Sequence, residues 1–401
     1  MISFLLGSGF SFTDGVPLVS DINRQILELT LDDIYIDTDM SIRRIKKEDQ
    51  PEYKMRWADE KFFVEFLKHY SQKIIDNPEH FNYETFFDYL TEYSQSNEHN
   101  EEIHEFCEYF RNTIIKDAED KKDDRNLIHY FIIYFNQILS SFIDKSEYYR
   151  DVTFLNYPQY DSFINFIKEL LKKHDVRIHS LNHDLLFEHI ASKNNDLAKH
   201  FTDGFEELNS PYYGEVRIET PINKTYRVRL KRFIDNFDKA LALYKLHGSI
   251  DMFIADFSVP LEDQVRIKKD FGVSAVYKEV FDQNLDSFNY SYLMQNDFPD
   301  FLSGTTTKIS QYNIPYYEKI LNHFKNNLKN SSILFVIGYG FKDEGINRIL
   351  RENYSASKKE LVVIDKKIPD CRIITDYSVE AIEKSFNKIS FKDYMDKYQK
   401  L

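Results

Sequence analysis

Cysteine is nearly absent from this chain of 401 residues, since only Cys107 and Cys371 occur. Two cysteines cannot form the disulfide framework of a small secreted domain or a four-thiolate zinc site. Positive charge is also in deficit, because 52 Lys and Arg residues face 66 Asp and Glu residues and leave a net charge of −14. Such a surface is poorly suited to a phosphate backbone. We therefore expect reduced thiols, no bound metal and no direct contact with nucleic acid.

Long hydrophobic runs are lacking as well. The most apolar stretch, near 333–341, is about half as long as a membrane-spanning helix and is interrupted by Gly338 and Gly340. Residues 1–6 have no basic lead, and their apolar run is too short for a signal peptide. These features predict a soluble, cytoplasmic protein that does not bind a membrane.

Glycine is scarce, with 11 residues in total and none between 31 and 174. Within that stretch apolar residues recur at helical spacing, as in 62–67 and 127–132, and charge runs such as 119–124 separate the segments. We predict a large all-helical insertion over 31–174. The chain also contains 34 Phe and 28 Tyr. Aromatic side chains are enriched at the centres of interfaces, so we expect these helices to mediate homo-oligomer contacts. The alternative is a helical layer that only covers the sheet.

Short apolar runs resume outside the insertion, and each leads into a glycine or a polar loop. This alternation of strand, loop and helix predicts an α/β fold with a doubly wound, mostly parallel, Rossmann-like sheet. The predicted strands are 2–6, 175–181, 242–246, 332–337 and 361–364. The domain would be discontinuous, with parts 1–30 and 175–375, and 376–401 would form a C-terminal helical tail.

Parallel sheets bind ligands beyond the carboxyl ends of their strands, so candidate site residues should follow the strands. After the first strand come Gly7, Ser8, Gly9 and Ser11, where glycine permits close approach of a phosphate. The alternative is a tight strand-to-helix turn with no ligand. A second strand ends before Asn182 and Asp184, and a plain helix cap is the alternative for Asp184.

The later strands end at further candidates. His247, followed by Gly248, is suited to act as a general base near neutral pH, although a buried core histidine is an equal alternative. The predicted strand 332–337 is followed by another glycine loop and by Asp343, which is placed to cap the next helix. Asp365 ends a late strand and could accept hydrogen bonds from ribose hydroxyls. The residues of the loop after strand 332–337 are Gly338, Tyr339 and Gly340.

Together these motifs resemble the sirtuin-like NAD-binding family. Leu181-Asn182-His183-Asp184 is similar to the Gln-Asn-Ile-Asp motif of that family, and Leu246-His247-Gly248 is similar to its catalytic His-Gly. The resemblance implies that the glycine loops contact phosphate and ribose, and that Asp365 lies at the adenosine end. It further implies a sirtuin-type fold, NAD as substrate, and catalytic roles for Asn182, His247 and Asp184.

The departures from the family are equally informative. The zinc module of the family needs four cysteines, and this chain has two that lie far apart; Leu18-Val19-Ser20 stands where deacylating sirtuins have Asp-Phe-Arg. The resemblance is therefore to the sirtuin-like effectors of bacterial anti-phage defence, of the kind encoded beside a HerA-type ATPase. It implies an NAD+ glycohydrolase that depletes NAD. The alternative is a non-catalytic NAD or ADP-ribose sensor or regulatory subunit. A dehydrogenase is disfavoured because Phe12 replaces the third fingerprint glycine.

Overall fold

The computed structural model describes most of the chain, and its helices and strands are numbered here in chain order. The described residues are 1–36, 42–44, 58–74, 81–95, 100–113, 123–144, 157–218, 224–270, 273–294, 298–304, 307–354, 359–368, 379–384, 389, 391 and 394. The helices are α1 Ser8–Phe12, α2 Val19–Leu27, α3 Ala58–Ile74, α4 Tyr83–Gln95, α5 Glu101–Thr113, α6 Asp124–Ile143, α7 Asp161–Leu170, α8 Leu186–Lys193, α9 Asn195–Ala198, α10 Thr307–Gln311, α11 Pro315–Asn330 and α12 Glu344–Asn353.

The strands of the described residues fall into four sheets. They are β1 Ile2–Leu6, β2 Ile34–Ile36, β3 Ile42–Arg44, β4 Val176–Ser180, β5 Phe201–Thr202, β6 Gly204–Glu206, β7 Tyr212–Ile218, β8 Lys224–Arg229, β9 Lys231–Asn236, β10 Leu241–Lys245, β11 Met252–Ile254, β12 Arg266–Lys268, β13 Val273–Asp282, β14 Ser287–Tyr292, β15 Ile333–Ile337, β16 Glu360–Asp365 and β17 Val379–Glu383. Short 3₁₀ turns occur at Leu31–Asp33, Pro158–Tyr160 and Leu261–Asp263.

The main sheet has seven parallel strands in the order β17-β16-β15-β1-β4-β10-β5. The chain starts in the middle of this sheet at β1, and later strands add on both sides, so the predicted doubly wound α/β sheet is confirmed. All five predicted strands are present within one or two residues of their expected bounds. They were predictable because a parallel strand buried on both faces is a nearly continuous apolar run.

The core of the main sheet is aromatic. Phe4 on β1 stacks on Phe335 of the neighbouring β15, with ring centroids 4.9 Å apart and an interplanar angle of 12°. Phe163 and Phe166 of α7 meet the same Phe4 ring edge-on, at 5.7 and 6.1 Å. Such pairs add to the stabilisation that burial of the rings provides. Helix α7 therefore packs on the central strand of the sheet.

The chain divides into two compact units. The sheet unit comprises Met1–Val16, Asp144–Asn296 and Gln311–Leu401, and the helical unit comprises Pro17–Ile143 and Asp297–Ser310. These limits differ from the predicted insertion, 31–174. The helical unit begins earlier because α2 is attached to it, with Asn23 Oδ1 accepting a hydrogen bond of 2.9 Å from the backbone N–H of Tyr83. It ends earlier because α7 packs on the sheet.

Two local predictions need correction. The insertion is not all-helical, because β2 and β3 form an antiparallel pair whose Ile34, Ile36 and Ile42 are buried. The predicted tail, 376–401, contains a strand at Val379–Glu383, because β17 extends the main sheet at its edge and Ile382 packs against the core. In both places short, β-branched apolar segments pair with a neighbouring strand instead of continuing a helical pattern.

Two antiparallel sheets between β6 and β14 were not predicted from the sequence. Their strand orders are β11-β12-β9-β6 and β14-β13-β7-β8. Strand β8 is exposed along its whole length and β14 nearly so, so neither has the continuous apolar run of a buried strand. The available signals were the alternation in β8 and the tight turn at Asp286, which has a positive φ of 47°.

The aromatic residues of the helical unit form their own core. Phe62, Phe66 and Phe131 lie within 6.4 Å of one another and of other rings, and all three are buried. Among the described residues of α3–α6, only Tyr109 is a large apolar side chain with an exposed surface. The abundance of Phe and Tyr in this segment is therefore explained by internal packing. No helix within the described residues is long and apolar enough to cross a membrane.

One buried histidine of β4 gives the fold a specific pH dependence. His179 Nδ1 lies 3.0 Å from the carbonyl oxygen of Phe4, to which it must donate, and Nε2 lies 3.1 Å from Asn327 Nδ2, from which it accepts. Burial lowers the pKa of His179 to about 3, although the Phe4 carbonyl partly opposes that shift. Between about pH 6.5 and about pH 3 the imidazole is thus neutral in the folded chain and protonated in the unfolded chain.

We predict that the free energy of unfolding of the wild type falls as the pH is lowered from about 6.5 towards 3, because only the unfolded state takes up this proton. The contribution is at most about 1.4 kcal/mol per pH unit. His179→Asn keeps a donor for Phe4 but has no titrating ring, so its slope should be smaller by that amount. Urea unfolding at a series of pH values measures both slopes. Equal slopes would contradict the assignment.

Candidate active site

Four strands of the main sheet end at the same level. The register pairs Leu6 of β1 with Ile337 of β15 and with Ser180 of β4, and it pairs Ser180 with Lys245 of β10. The residues that follow these strand ends therefore leave the sheet side by side along one edge. These residues include Gly7, Asn182, His247 and Gly338, so the structure brings the predicted motifs together. Asp365 ends β16, one strand further out.

The two glycine loops contact each other through their backbones. Gly9 N–H donates to Gly338 O at 3.0 Å, and Gly7 N–H donates to Ile337 O at 2.9 Å. A Cβ on Gly7 would lie 2.5 Å from Gly338 O, and a Cβ on Gly338 would lie 2.4 Å from the Phe10 nitrogen. Gly338 also has a φ of +64°. The motif predicts that these glycines admit a phosphate, whereas the structure requires them for the approach of one loop to the other.

Asn182 connects the β4 exit to the first glycine loop. Its Nδ2 donates to Gly7 O and to Ser11 Oγ, both at 2.9 Å. Ser11 is buried, whereas Ser8 is exposed at the start of α1. Because both amide hydrogens are used, the position of the Asn182 side chain relative to this loop is fixed.

The Asp184 side chain caps a helix, which is the alternative that the sequence left open for it. Its Oδ1 accepts a hydrogen bond of 3.0 Å from the N–H of Leu186, the first residue of α8, and only 6% of Asp184 is exposed. This bond satisfies one of the amides that a helix start leaves without an intrahelical partner. The carbonyl oxygen of Asp184 accepts from Lys245 Nζ. Helix α8 and strand β10 are therefore tied together at this residue.

His247 is buried in the same region, with 3% of its surface exposed. Its Nε2 lies 3.3 Å from Tyr312 Oη and 3.4 Å from Asp343 Oδ2. The ring of His183 lies on another side, with centroids 6.3 Å apart. Sequence reasoning placed Asp343 only as a helix cap, and its Oδ1 does accept from Ile346 N–H at 3.0 Å. Tyr312 carried no sequence signal.

The remaining predicted residues differ in what they contact. Tyr339 is buried, and its hydroxyl lies 3.0 Å from Asn347 Oδ1 and 3.1 Å from Asp343 O, so its side chain anchors α12. A Cβ on Gly340 would meet nothing closer than 3.9 Å. Asp365 is half-buried, and burial raises its pKa, although backbone N–H groups that include that of Lys367 oppose the shift. The raised pKa of Asp365 means that this carboxyl group takes up a proton at a higher pH than an exposed aspartate does.

Buried ion pairs support the exits of β4 and β10. Lys245 Nζ lies 3.5 Å from Glu188 Oε1 on α8, and Lys268 Nζ lies 2.7 Å from Asp203 and 3.2 Å from Asp251. Burial alone would lower the pKa of Lys268, but the surrounding carboxylates raise it well above its usual value. Removing one member of such a group leaves a buried charge without compensation. The cluster therefore fixes α8 and the sheet β11-β12-β9-β6 against the end of β10.

No group of three or more His, Cys, Asp or Glu side chains in the described part of the chain is arranged to hold a metal ion. Cys107 is buried, and burial raises the pKa of its thiol to about 12. Cys371 lies outside the described residues.

Comparison with known proteins identifies the family. A profile of the SIR2-like domain matches residues 176–387, just over half of the chain, and the chain therefore belongs to the SIR2-like family. NAD is the substrate of this sirtuin-like domain. No curated protein matches the chain.

Solved sirtuin structures are also similar to the chain. One, described as "Structural Basis for the Mechanism and Regulation of Sir2 Enzymes", is 11% identical, with coverage of 65% of this chain and 78% of that one and a TM-score of 0.30. Another, described as "The Structural basis for Sirtuin Substrate affinity", is 8% identical, with coverage of 100% and 92% and a TM-score of 0.33. The family assignment rests on the domain profile.

The loop contact yields a stability prediction. Gly338→Ala places a Cβ against the Phe10 nitrogen and forces alanine into a left-handed conformation, which alone costs about 1–2 kcal/mol. We expect a loss of at least about 2 kcal/mol in the free energy of unfolding. Gly340→Ala, two residues away, points into open space and should change stability by less than about 1 kcal/mol. Urea unfolding of both variants measures the difference, and equal losses would contradict the proposed role of Gly338.

Proposed function

We propose that this protein is an NAD+ glycohydrolase, which cleaves the bond between nicotinamide and ribose. The observation that carries the proposal is the placement of Asn182 and His247 after the paired strands β4 and β10, with Asn182 bonded to the first glycine loop. An amide that orients hydroxyl groups and a histidine that accepts a proton are the two side chains this hydrolysis needs.

Cleavage of a glycosidic bond passes through a ribose centre with cationic character. His247 would accept the proton of the attacking water or of a ribose hydroxyl. Asn182, held by Gly7 and Ser11, would orient the ribose hydroxyls and the water. Asp184 uses Oδ1 for the start of α8, and its other oxygen would hydrogen-bond the nicotinamide carboxamide.

The rest of the dinucleotide would lie along the loops at the same edge of the sheet. We infer contacts from the first loop to the pyrophosphate, from the loop after β15 to phosphate and ribose, and from Asp365 to the adenosine end. The residues of these loops are Gly7, Ser8, Gly9, Ser11, Gly338, Tyr339 and Gly340. Because Gly7 and Gly338 are already in contact with each other, their part is to shape the loops, and exposed groups such as Ser8 would meet the ligand.

A second candidate function is non-catalytic binding of NAD or ADP-ribose by a sensor or regulatory subunit. The observation that favours it is that Asp184 and His247 are both buried and both have partners within the fold. Each residue therefore contributes to the structure, and this contribution would account for its presence even in a protein that does not cleave NAD. The two functions differ in one measurable product, free nicotinamide.

We predict that the purified protein releases nicotinamide from NAD+ and that His247→Ala lowers the rate by about 10²–10⁴, the usual contribution of a positioned base. His323→Ala is the matched control, because His323 pairs with Asp235 at 2.8 Å and is not part of the proposed site. Chromatography measures nicotinamide and distinguishes ADP-ribose from a cyclic product. Binding of NAD+ by calorimetry without nicotinamide release would support the sensor, and full activity of His247→Ala would exclude its role as base.

The wider role we propose is depletion of cytoplasmic NAD in anti-phage defence, with a HerA-type ATPase as partner. This part of the proposal rests on the resemblance of the sequence motifs to such effectors. An NAD hydrolase without control would deplete its own host, so the activity would be latent until the complex assembles. Assay of the protein with and without the ATPase tests this dependence directly.

We infer that the protein forms a homo-oligomer and that the contact lies on the antiparallel sheet β14-β13-β7-β8. From the sequence we expect the helices of 31–174 to mediate the contact, but among their described residues Tyr109 is the one large aromatic side chain that is exposed. On the sheet, Phe288 and Tyr292 of β14 are 62% and 63% exposed, and Phe281 beside Phe288 is also exposed. Strand β14 is an edge without charge or proline, the kind of edge that pairs with another chain.

We expect sedimentation velocity at micromolar concentration to detect an oligomer of the wild type. Phe288→Ser combined with Tyr292→Ser should shift the protein towards the monomer, because both changes remove exposed apolar surface from the edge. Tyr109→Ser, the exposed aromatic of the helical unit, is the control and should leave the assembly intact. A monomeric wild type would refute the oligomer, and dissociation by Tyr109→Ser alone would return the contact to the helices.

A further inference from the structure

Tyr312 is a buried tyrosine that meets His247 from a distant part of the chain. It follows α10 directly, and its Oη lies 3.3 Å from His247 Nε2. The two rings are close to parallel, with an interplanar angle of 19°. The hydroxyl therefore faces the imidazole nitrogen that also faces the carboxylate of Asp343.

Gly345, in the first turn of α12, provides the space for this tyrosine. A Cβ at that position would lie 2.9 Å from Tyr312 Cε2 and 3.2 Å from Tyr312 Oη. The same Cβ would lie 3.2 Å from Asp343 Oδ1. Tyr312, Asp343 and the start of α12 are thus packed so closely that any side chain at position 345 would displace the tyrosine.

We propose that Tyr312 and Asp343 are positioning residues that hold the imidazole of His247 and compensate its charge when it takes a proton. This inference rests on the proposed function, because it concerns the residue assigned there as the base. Asp343 supplies the negative charge, and Tyr312 supplies a neutral hydroxyl that fixes where the carboxylate and the imidazole can lie. Neither residue need touch the substrate.

The electrostatics of the site support this division of roles. Burial, together with the nearby Asp343, raises the pKa of Tyr312, so its hydroxyl stays protonated at any working pH. The groups that face His247 from the packed elements include His183, the neutral Tyr312 and the carboxylate of Asp343. A buried imidazolium without a partner is strongly disfavoured. Asp343 therefore makes proton acceptance by His247 possible within the buried site.

Asp343→Asn tests the carboxylate with little change to the fold. Asparagine caps a helix about as well as aspartate, so the hydrogen bond to Ile346 N–H can be kept. Without the negative charge, the pKa of His247 should fall, because an opposite charge favours the protonated form. We expect kcat to fall at least about 10-fold with little change in KM, and the acid limb of the pH profile to move to lower pH.

Two further variants test the tyrosine. Tyr312→Phe removes only the hydroxyl, and Gly345→Ala pushes the ring away from its position, so both should lower kcat. Tyr354→Phe is the matched control, because Tyr354 is also buried and its hydroxyl bonds to the carbonyl of Glu360 instead of His247. It should cost stability without moving the pH profile. An unchanged kcat and pH profile in both Tyr312→Phe and Gly345→Ala would overturn the role of Tyr312.

A titration without substrate separates this inference from the proposed function. Histidine-labelled protein gives the pKa of the His247 ring by NMR, with the signal assigned by its loss in His247→Gln. A lower pKa in Asp343→Asn than in the wild type supports the positioning pair even if the wild type releases no nicotinamide, an outcome that would refute the hydrolase alone. An unchanged pKa in Asp343→Asn would overturn the pair, whatever the activity of the wild type.

Discussion

The direct backbone contact between the loops after β1 and β15 is the constraint on which the site depends. Gly9 N–H and Gly338 O are bonded, and neither Gly7 nor Gly338 has room for a Cβ. Because β1 lies at the centre of the sheet, these two loops form the surface against which the residues after the neighbouring strands pack. Asn182 donates both amide hydrogens to the first of these loops, so the residues that follow β4 are positioned by the same contact.

The residues at this edge serve the fold as well as the chemistry proposed for them. Asp184 satisfies the start of α8, and Asp343 satisfies the start of α12. A helix start needs an acceptor, and a reacting sugar needs acceptors and charges, so one carboxylate can meet both needs with its two oxygens. This explains why a capping interpretation and a site interpretation of Asp184 are compatible and why sequence alone left both open.

The buried parallel strands and the residues at their ends could be predicted because each feature is local. An apolar run ending in glycine, asparagine or histidine is visible within ten residues of sequence. Tyr312 could not be found this way, since it meets His247 across 65 positions and no pattern marks it. The sheet of β7, β8, β13 and β14 was missed because its edge strands β8 and β14 are exposed and have no continuous apolar run. The aromatic composition of 31–174 indicated apolar surface, but only packing shows that this surface is internal.

The charges around β10 bear on whether a buried histidine could take a proton there. Lys245 ends that strand two residues before His247, and a free ammonium so close would disfavour an imidazolium. Its Nζ is instead occupied by Glu188 and by the carbonyl of Asp184. Lys268 is likewise surrounded by carboxylates. With these cations compensated on one side, the carboxylate of Asp343, whose Oδ2 lies 3.4 Å from His247 Nε2, is the charge proposed to act on the ring.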